Sequence, residues 1–285
     1  MFRTSAALIG VAFLVAMVGG VNGRDVRPVQ SSAGFSFDSF IQPGTVAHWR
    51  FAGAAGSAVA EEAVIKDAAG RFDALVFGGP MYRLVESRPG LEFSGGDDRV
   101  FVKDDPAFAL TDGLTLEAIV RYDGTIPGTL DQHQIVFRGD DRPGLDPWFL
   151  AVAVDGRLMF HICGEGDRYV ELRSPKSLPV GRVVHVAGVL DVRCREMRMY
   201  VDGEMVALSL TNLRPMADLE ADAKPGIGIG HLQSGTYPEG FNGLICEVRI
   251  SSGTLAPQQM LTVKRANGSG RGGRGRESGP RYLEK

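Results

Sequence analysis

Residues 91–124, LEFSGGDDRVFVKDDPAFALTDGLTLEAIVRYDG, decide how the rest of the chain is read. The closing part, LTLEAIVR, alternates. Leu114, Leu116, Ala118 and Val120 fall on one side; Thr115, Glu117, Ile119 and Arg121 fall on the other. A period of two is the mark of a strand in a packed sheet. Ahead of it, LEFS and RVFV read as two shorter strands around the acidic turn GGDDR.

The same grammar extends outward in both directions. TVAHWRF at 45–51 is a first strand, and short strands are expected at 73–77, 91–93 and 99–102. Downstream, 134–138 is a strand, and WFLAVAVDGRLMFHIC is a hairpin turning at Asp155-Gly156. Further strands are expected at 169–173 and 183–190. A second hairpin turns at Asp202-Gly203, and the last strands fall at 227–229 and 244–250. LAPQQMLTVKR reads as a short terminal helix. With 38 Gly and 15 Pro set between short apolar runs, roughly a dozen strands indicate an all-β sandwich or jelly roll.

The 285-residue chain begins with a positively charged start at Arg3, an apolar run over Ala6–Val18 and small residues before Gly23. That is the pattern of a cleaved export signal, and the run is shorter than the roughly 20 residues of a spanning helix. Residues 1–23 are therefore expected to be a signal peptide, 24–43 a lead-in, 44–262 the sandwich and 263–285 a disordered basic Gly/Arg tail. The expected location is outside the cytoplasm, secreted or periplasmic, with no membrane span after cleavage. From Lys264 onward there are seven basic and two acidic residues, whereas the body, with Arg3 also set aside, carries 23 basic against 32 acidic. An acidic body argues against nucleic acid as a partner. Three cysteines, Cys163, Cys194 and Cys246, permit at most one disulfide, and no Cys/His cluster suggests zinc.

Five stretches in order, VAHWRF, LEFSGGDDRVFV, LTLEAIVR, GRVVHVAGVLD with MRMYVDGE, and FNGLICEVRI, resemble the laminin-G-like members of the concanavalin A-like lectin and glucanase superfamily. The resemblance covers about 220 residues and implies a jelly-roll sandwich of two antiparallel sheets. With the export signal and the acidic loop that ends at Trp148, the expectation is an exported non-catalytic binding module, with polysaccharide or glycoprotein glycan as partner. An adhesion module recognising an extracellular protein is the alternative, because one fold carries many functions.

Glucanases of this fold carry two or three carboxylates along one strand in the spacing Glu-x-Asp-x-x-Glu. No such run occurs here, and Glu117 and Glu247 are lone strand carboxylates expected to be ion-paired, Glu117 with Arg249 or Arg121. No catalytic residue is assigned, and a glycoside hydrolase is the least favoured class. Two acidic loops are the binding candidates. Asp97 and Asp98 in GGDDR are of the type that hold calcium through loop oxygens. The second loop gathers Arg138, Asp140, Asp141, Arg142, Asp146 and Trp148. An aromatic ring beside hydroxyl-bonding Asp and Arg groups is the composition of a sugar site. Arg138-Gly139-Asp140 also spells an integrin-type tripeptide.

Overall fold

The structure, a computed structural model, describes residues 41–263 apart from Pro143 and Asp167. The expected signal, nearly all of the lead-in, and the basic tail beyond Val263 lie outside the described residues.

Sixteen strands are formed by the described residues: β1 (Thr45–Arg50), β2 (Val64–Ile65), β3 (Ala74–Phe77), β4 (Met81–Val85), β5 (Arg88–Ser94), β6 (Arg99–Lys103), β7 (Leu114–Tyr122) and β8 (Gln132–Gly139). The second half comprises β9 (Trp148–Ala153), β10 (Arg157–Gly164), β11 (Arg168–Ser177), β12 (Val183–Asp191), β13 (Glu196–Val201), β14 (Glu204–Leu210), β15 (Gly226–Ile229) and β16 (Asn242–Ser252). They build two antiparallel sheets. The first runs β14-β13-β12-β7-β16-β5-β4, with β1 also on β16; the second runs β11-β10-β9-β8-β15-β6-β3-β2. The two sheets enclose a core that includes Trp49, Phe93, Leu116, Val120, Trp148, Leu150, Phe160 and Ile245.

Central in the first sheet, β7 lies between β12 and β16. As its alternation requires, Leu114, Leu116, Ala118 and Val120 enter the main core. The other side of the strand is buried as well. Residues 253–263 lie across it as a strap. Leu255 N–H donates to Thr115 Oγ1 at 3.1 Å and Leu261 N–H to Glu117 Oε2 at 2.7 Å. Leu255 and Met260 pack on Ala187, Val189 and Tyr200. Leu261 and Val263 pack near Ile119, Val183, Leu244 and Cys246.

The strap corrects the expected terminal helix. Only the single 3-10 turn Pro257–Gln259 forms. A helix would lift alternate apolar residues off the sheet, whereas the extended path keeps Leu255, Met260 and Leu261 against it. Beneath the strap, Glu117 is fully buried. It accepts from Arg249 Nε at 2.7 Å and lies 3.0 Å from His185 Nε2. Burial pushes this carboxyl up, but His185, Arg249 and the Leu261 N–H outweigh it and hold Glu117 below the usual carboxylate range. Glu247 pairs with His48 at 3.2 Å. The expected ion pairing of Glu117 is therefore present, with Arg249 and not Arg121, which pairs with Asp123 and Glu92, while Glu247 has His48 as its hydrogen-bond partner.

The two hairpins differ. At Asp202-Gly203 both residues have positive φ, 51° and 82°, as a two-residue type I′ turn needs. At the other hairpin only Gly156 does, with φ 80°. Val154, Asp155 and Gly156 make a three-residue loop closed by Gly156 N–H to Ala153 O, so the expected pair of positive φ angles is not formed there. No disulfide joins the cysteines. Cys163 and Cys246 are buried and Cys194 is exposed. Burial pushes the Cys246 thiol up to about 12, so it is a packed apolar group and not a nucleophile.

Candidate functional site

The strap covers part of the outer face of the first sheet, over β7, β12 and β16; the outer face of the second sheet carries the candidate site. The side chains alternate along its central strands. On β9, Trp148, Leu150 and Val152 enter the core while Phe149 and Ala151 point outward, and Phe137, Met159 and Leu232 join them in a separate apolar cluster. A row of rings crosses four strands there. Phe137 lies 6.2 Å from Phe149, Phe149 4.4 Å from His161, and His161 5.4 Å from Tyr169, all stacked. Tyr169 is exposed at the sheet edge. Burial pushes His161 down to about 4, so it is a neutral ring in this stack at physiological pH.

The row leads into a cleft of about 250 Å³ at its Phe137 end. Two loops form its walls, the 139–147 loop after β8 and the 230–240 segment between β15 and β16. β15 inserts between β8 and β6, which brings the late segment beside the early one. Gly228 permits that approach: a Cβ there would collide with His231 O, and would lie 2.6 Å from Gln233 N. Gly139 does the same for the other wall. A Cβ would strike the Phe137 ring and come within 2.6 Å of Asp146 Oδ1.

Of the loop residues expected to form a sugar site, four line this cleft: Asp140, Asp141, Arg142 and Asp146. Asp140 is buried and holds Arg142 through Nε at 2.9 Å and a second guanidinium nitrogen at 2.7 Å. Burial pushes the Asp140 carboxyl up. The Arg142 hydrogen bonds and the Glu220 N–H outweigh that and keep it below the ordinary range. Asp141 accepts from Gln233 Nε2 at 3.1 Å and lies 3.5 Å from Lys224 Nζ. Asp146 differs. It accepts no hydrogen bond among the described residues, and desolvation together with the negative charges of Glu239 and Asp140 pushes it up to about 7.

Two expected residues are not at the surface. Trp148 is fully buried, its indole N–H donating to Phe108 O at 3.3 Å, so it offers no face to a sugar. Sharing the parity of Leu150 and Val152 places it in the core. Arg138 is 1% exposed and donates to Asp104 and Ala217 O, so the Arg138-Gly139-Asp140 tripeptide is not presented as an adhesion loop. Asp98 is also committed internally, accepting from Ser94 N and Oγ, and it caps the GGDDR turn. Among the described residues no group of three or more acidic, His or Cys side chains converges to hold a metal ion, at Asp97 and Asp98 or elsewhere.

The cleft also holds residues that carry no signal in the linear sequence. Tyr237 is 47% exposed and Leu130 60% exposed at its mouth. Glu239 accepts from Gln132 Nε2 at 2.9 Å and Gln134 Nε2 at 2.8 Å. Burial nevertheless raises its pKa above the usual carboxylate range. Gln233 and Ser234 complete the late wall.

Two antiparallel sheets in this order define a jelly-roll β-sandwich. The chain belongs to the concanavalin A-like lectin/glucanases superfamily: its laminin-G family model matches residues 94–260. Among solved structures, domain 4 of AbnA, an extracellular arabinanase from Geobacillus stearothermophilus in complex with arabinotriose, is 19% identical. That match has a TM-score of 0.54 and covers 77% of this chain and 97% of that one. The binding domain of botulinum neurotoxin DC in complex with SialylT is 12% identical with a TM-score of 0.53, covering 76% of this chain and 50% of that one. A Trypanosoma rangeli sialidase is 18% identical with a TM-score of 0.51, covering 76% of this chain but 31% of its own. At these identities the likeness is one of fold. No curated protein sequence matches the chain.

Proposed function

We propose that this protein is an exported, non-catalytic carbohydrate-binding module that takes its glycan in the cleft between residues 139–147 and 230–240. One observation carries the reading. Tyr237 is exposed at the mouth of a cleft that sets the apolar side chains of Leu130, Phe137 and Leu232 beside amide, hydroxyl and carboxylate groups from Gln132, Gln233, Ser234 and Asp141. A sugar ring has one apolar C–H face and a rim of hydroxyls, and it is complementary to an aromatic ring beside hydrogen-bonding side chains. The solved domains bound to arabinotriose and to SialylT support the class without specifying the ligand. Export rests on the amino-terminal pattern at 1–23. Calcium is not required by this reading, since the cleft is built from hydrogen-bonding and ring groups.

The test is a glycan array followed by titration calorimetry on the wild-type protein and Tyr237→Ala. Glycan binding that weakens about tenfold or more in the variant, with unchanged melting, is the expected result. Absence of binding to any glycan, with and without calcium, would overturn the reading. The bound glycan should also be incubated with the protein and assayed for new reducing ends. Cleavage that disappears in Asp146→Asn would show a hydrolase instead.

A further inference from the structure

A second cavity, of about 560 Å³, lies where the end of the strap meets the first sheet, on the face opposite the glycan cleft. Its apolar wall is Val183 of β12 with Leu261 and Val263 of the strap. His185, two residues along β12, is its buried polar group, at 1% exposed. The ring's Nε2 lies 3.0 Å from Glu117, a carboxylate whose counter-charge Arg249 already supplies. In the neutral ring Nε2 therefore carries the proton and donates it to Glu117, which leaves Nδ1 as a lone-pair acceptor. Nδ1 has no hydrogen-bond partner among the described residues. A buried acceptor left unpaired is costly, so this nitrogen lacks a donor that something else can bring.

The charged groups at the rim differ in what they leave open. Arg182 is tied to Asp202 at 2.6 Å, and Asp202 also accepts from the His185 N–H at 3.0 Å. Glu86, on the turn between β4 and β5, makes no hydrogen bond or ion pair among the described residues. The cavity thus offers one buried acceptor, one unpaired carboxylate and an apolar wall, while its single cationic side chain is already paired.

We propose that this cavity is a second ligand site, independent of the glycan reading, and that it takes a small organic amine. The ammonium donates to Nδ1 of His185 and faces Glu86, and the hydrocarbon body lies against Val183, Leu261 and Val263. An ammonium has three donors and no lone pair, so it satisfies an acceptor and a carboxylate together. An alcohol of the same shape serves Nδ1 but leaves Glu86 without a counter-charge. A carboxylate brings no donor to Nδ1 and adds charge beside Glu86. The volume falls within the roughly 300–1,000 Å³ of small-molecule sites.

The experiment is an amide chemical-shift titration of the full chain at pH 8 with three probes that share one body: 3-phenylpropylamine, 3-phenylpropan-1-ol and 3-phenylpropanoate. The amine is expected to shift the amides of residues 182–185, 202–203 and 261–263, and to bind about threefold tighter than the alcohol and about tenfold or more tighter than the carboxylate. His185→Gln keeps a donor near the ε position for Glu117 and removes Nδ1, and should weaken the amine about tenfold. Glu86→Gln changes only an exposed charge, so the fold should be retained whatever His185→Gln does to it. It should bring the amine to within about twofold of the alcohol. Melting curves check both variants. The proposal is overturned if the amine does not bind, if its shifts fall on other residues, if the carboxylate binds as tightly, or if the preference for the amine over the alcohol survives in Glu86→Gln.

Discussion

Asp146→Asn should make the protein more stable, and by an amount that grows with pH. The Asp146 carboxyl titrates at about 7 in the folded protein against 3.8 for an ordinary aspartate, because it is desolvated and faces Glu239 and Asp140. Between those values the unfolded chain has released the proton and the folded chain has not. Stability therefore falls as pH rises from about 4 to 7, and the full penalty is present above 7. At about 1.4 kcal/mol for each pH unit of that interval, the penalty has a ceiling of roughly 4 kcal/mol. Asparagine is itself polar and partly buried, so the gain expected at pH 8 is about 2–3 kcal/mol, and at pH 5 about 1 kcal/mol. For a fold of this size the pH 8 gain corresponds to roughly 5–10 °C in melting temperature. Urea titrations at pH 5 and pH 8 read this directly, with tryptophan emission as the probe, since Trp49 and Trp148 are both fully buried. An equal gain at both pH values, or a loss at pH 8, would refute the argument that the carboxyl is desolvated and uncompensated.

Removing the cation beneath the strap should have the opposite consequence. Arg249→Met leaves the fully buried Glu117 with His185 and one backbone N–H, and is expected to cost about 3–5 kcal/mol in urea unfolding. Because Glu117 is held below its ordinary pKa, the wild-type protein should also lose stability as pH falls below about 4.5, and Glu117→Gln should flatten that acid limb. Gly139→Ala should displace Phe137 or Asp146, weakening glycan affinity about tenfold or more in calorimetry while moving the melting temperature by a few degrees.

The fold is legible in the sequence because its signal is local. Alternation in LTLEAIVR and in WFLAVA, and Asp-Gly at a hairpin turn, are written within a few residues of one another. What is not legible comes from distance. Thr115, Glu117 and Ile119 read as solvent-facing until the strap of 253–263 covers them, and nothing near β7 announces a strap about 140 residues later. β4 escapes a sequence reading because MYRLV is half-buried on both sides and shows no clean alternation. The acidic loop at 139–146 declares itself by composition, and four of its residues do line the cleft. Tyr237, Glu239 and Gln233 are invisible in the sequence because β15 threads between β8 and β6 and delivers them from a hundred residues away. Trp148 is a different case, since its placement is written locally. It shares the parity of Leu150 and Val152, and the strand pattern, weighed ahead of the loop composition, puts it inside.

The strap also gives the molecule a polarity. Val263, the last described residue, packs against the first sheet, while the cleft opens from the outer face of the second. The two therefore lie on opposite faces of the sandwich, so a probe attached at Val263 should leave glycan access to the cleft intact.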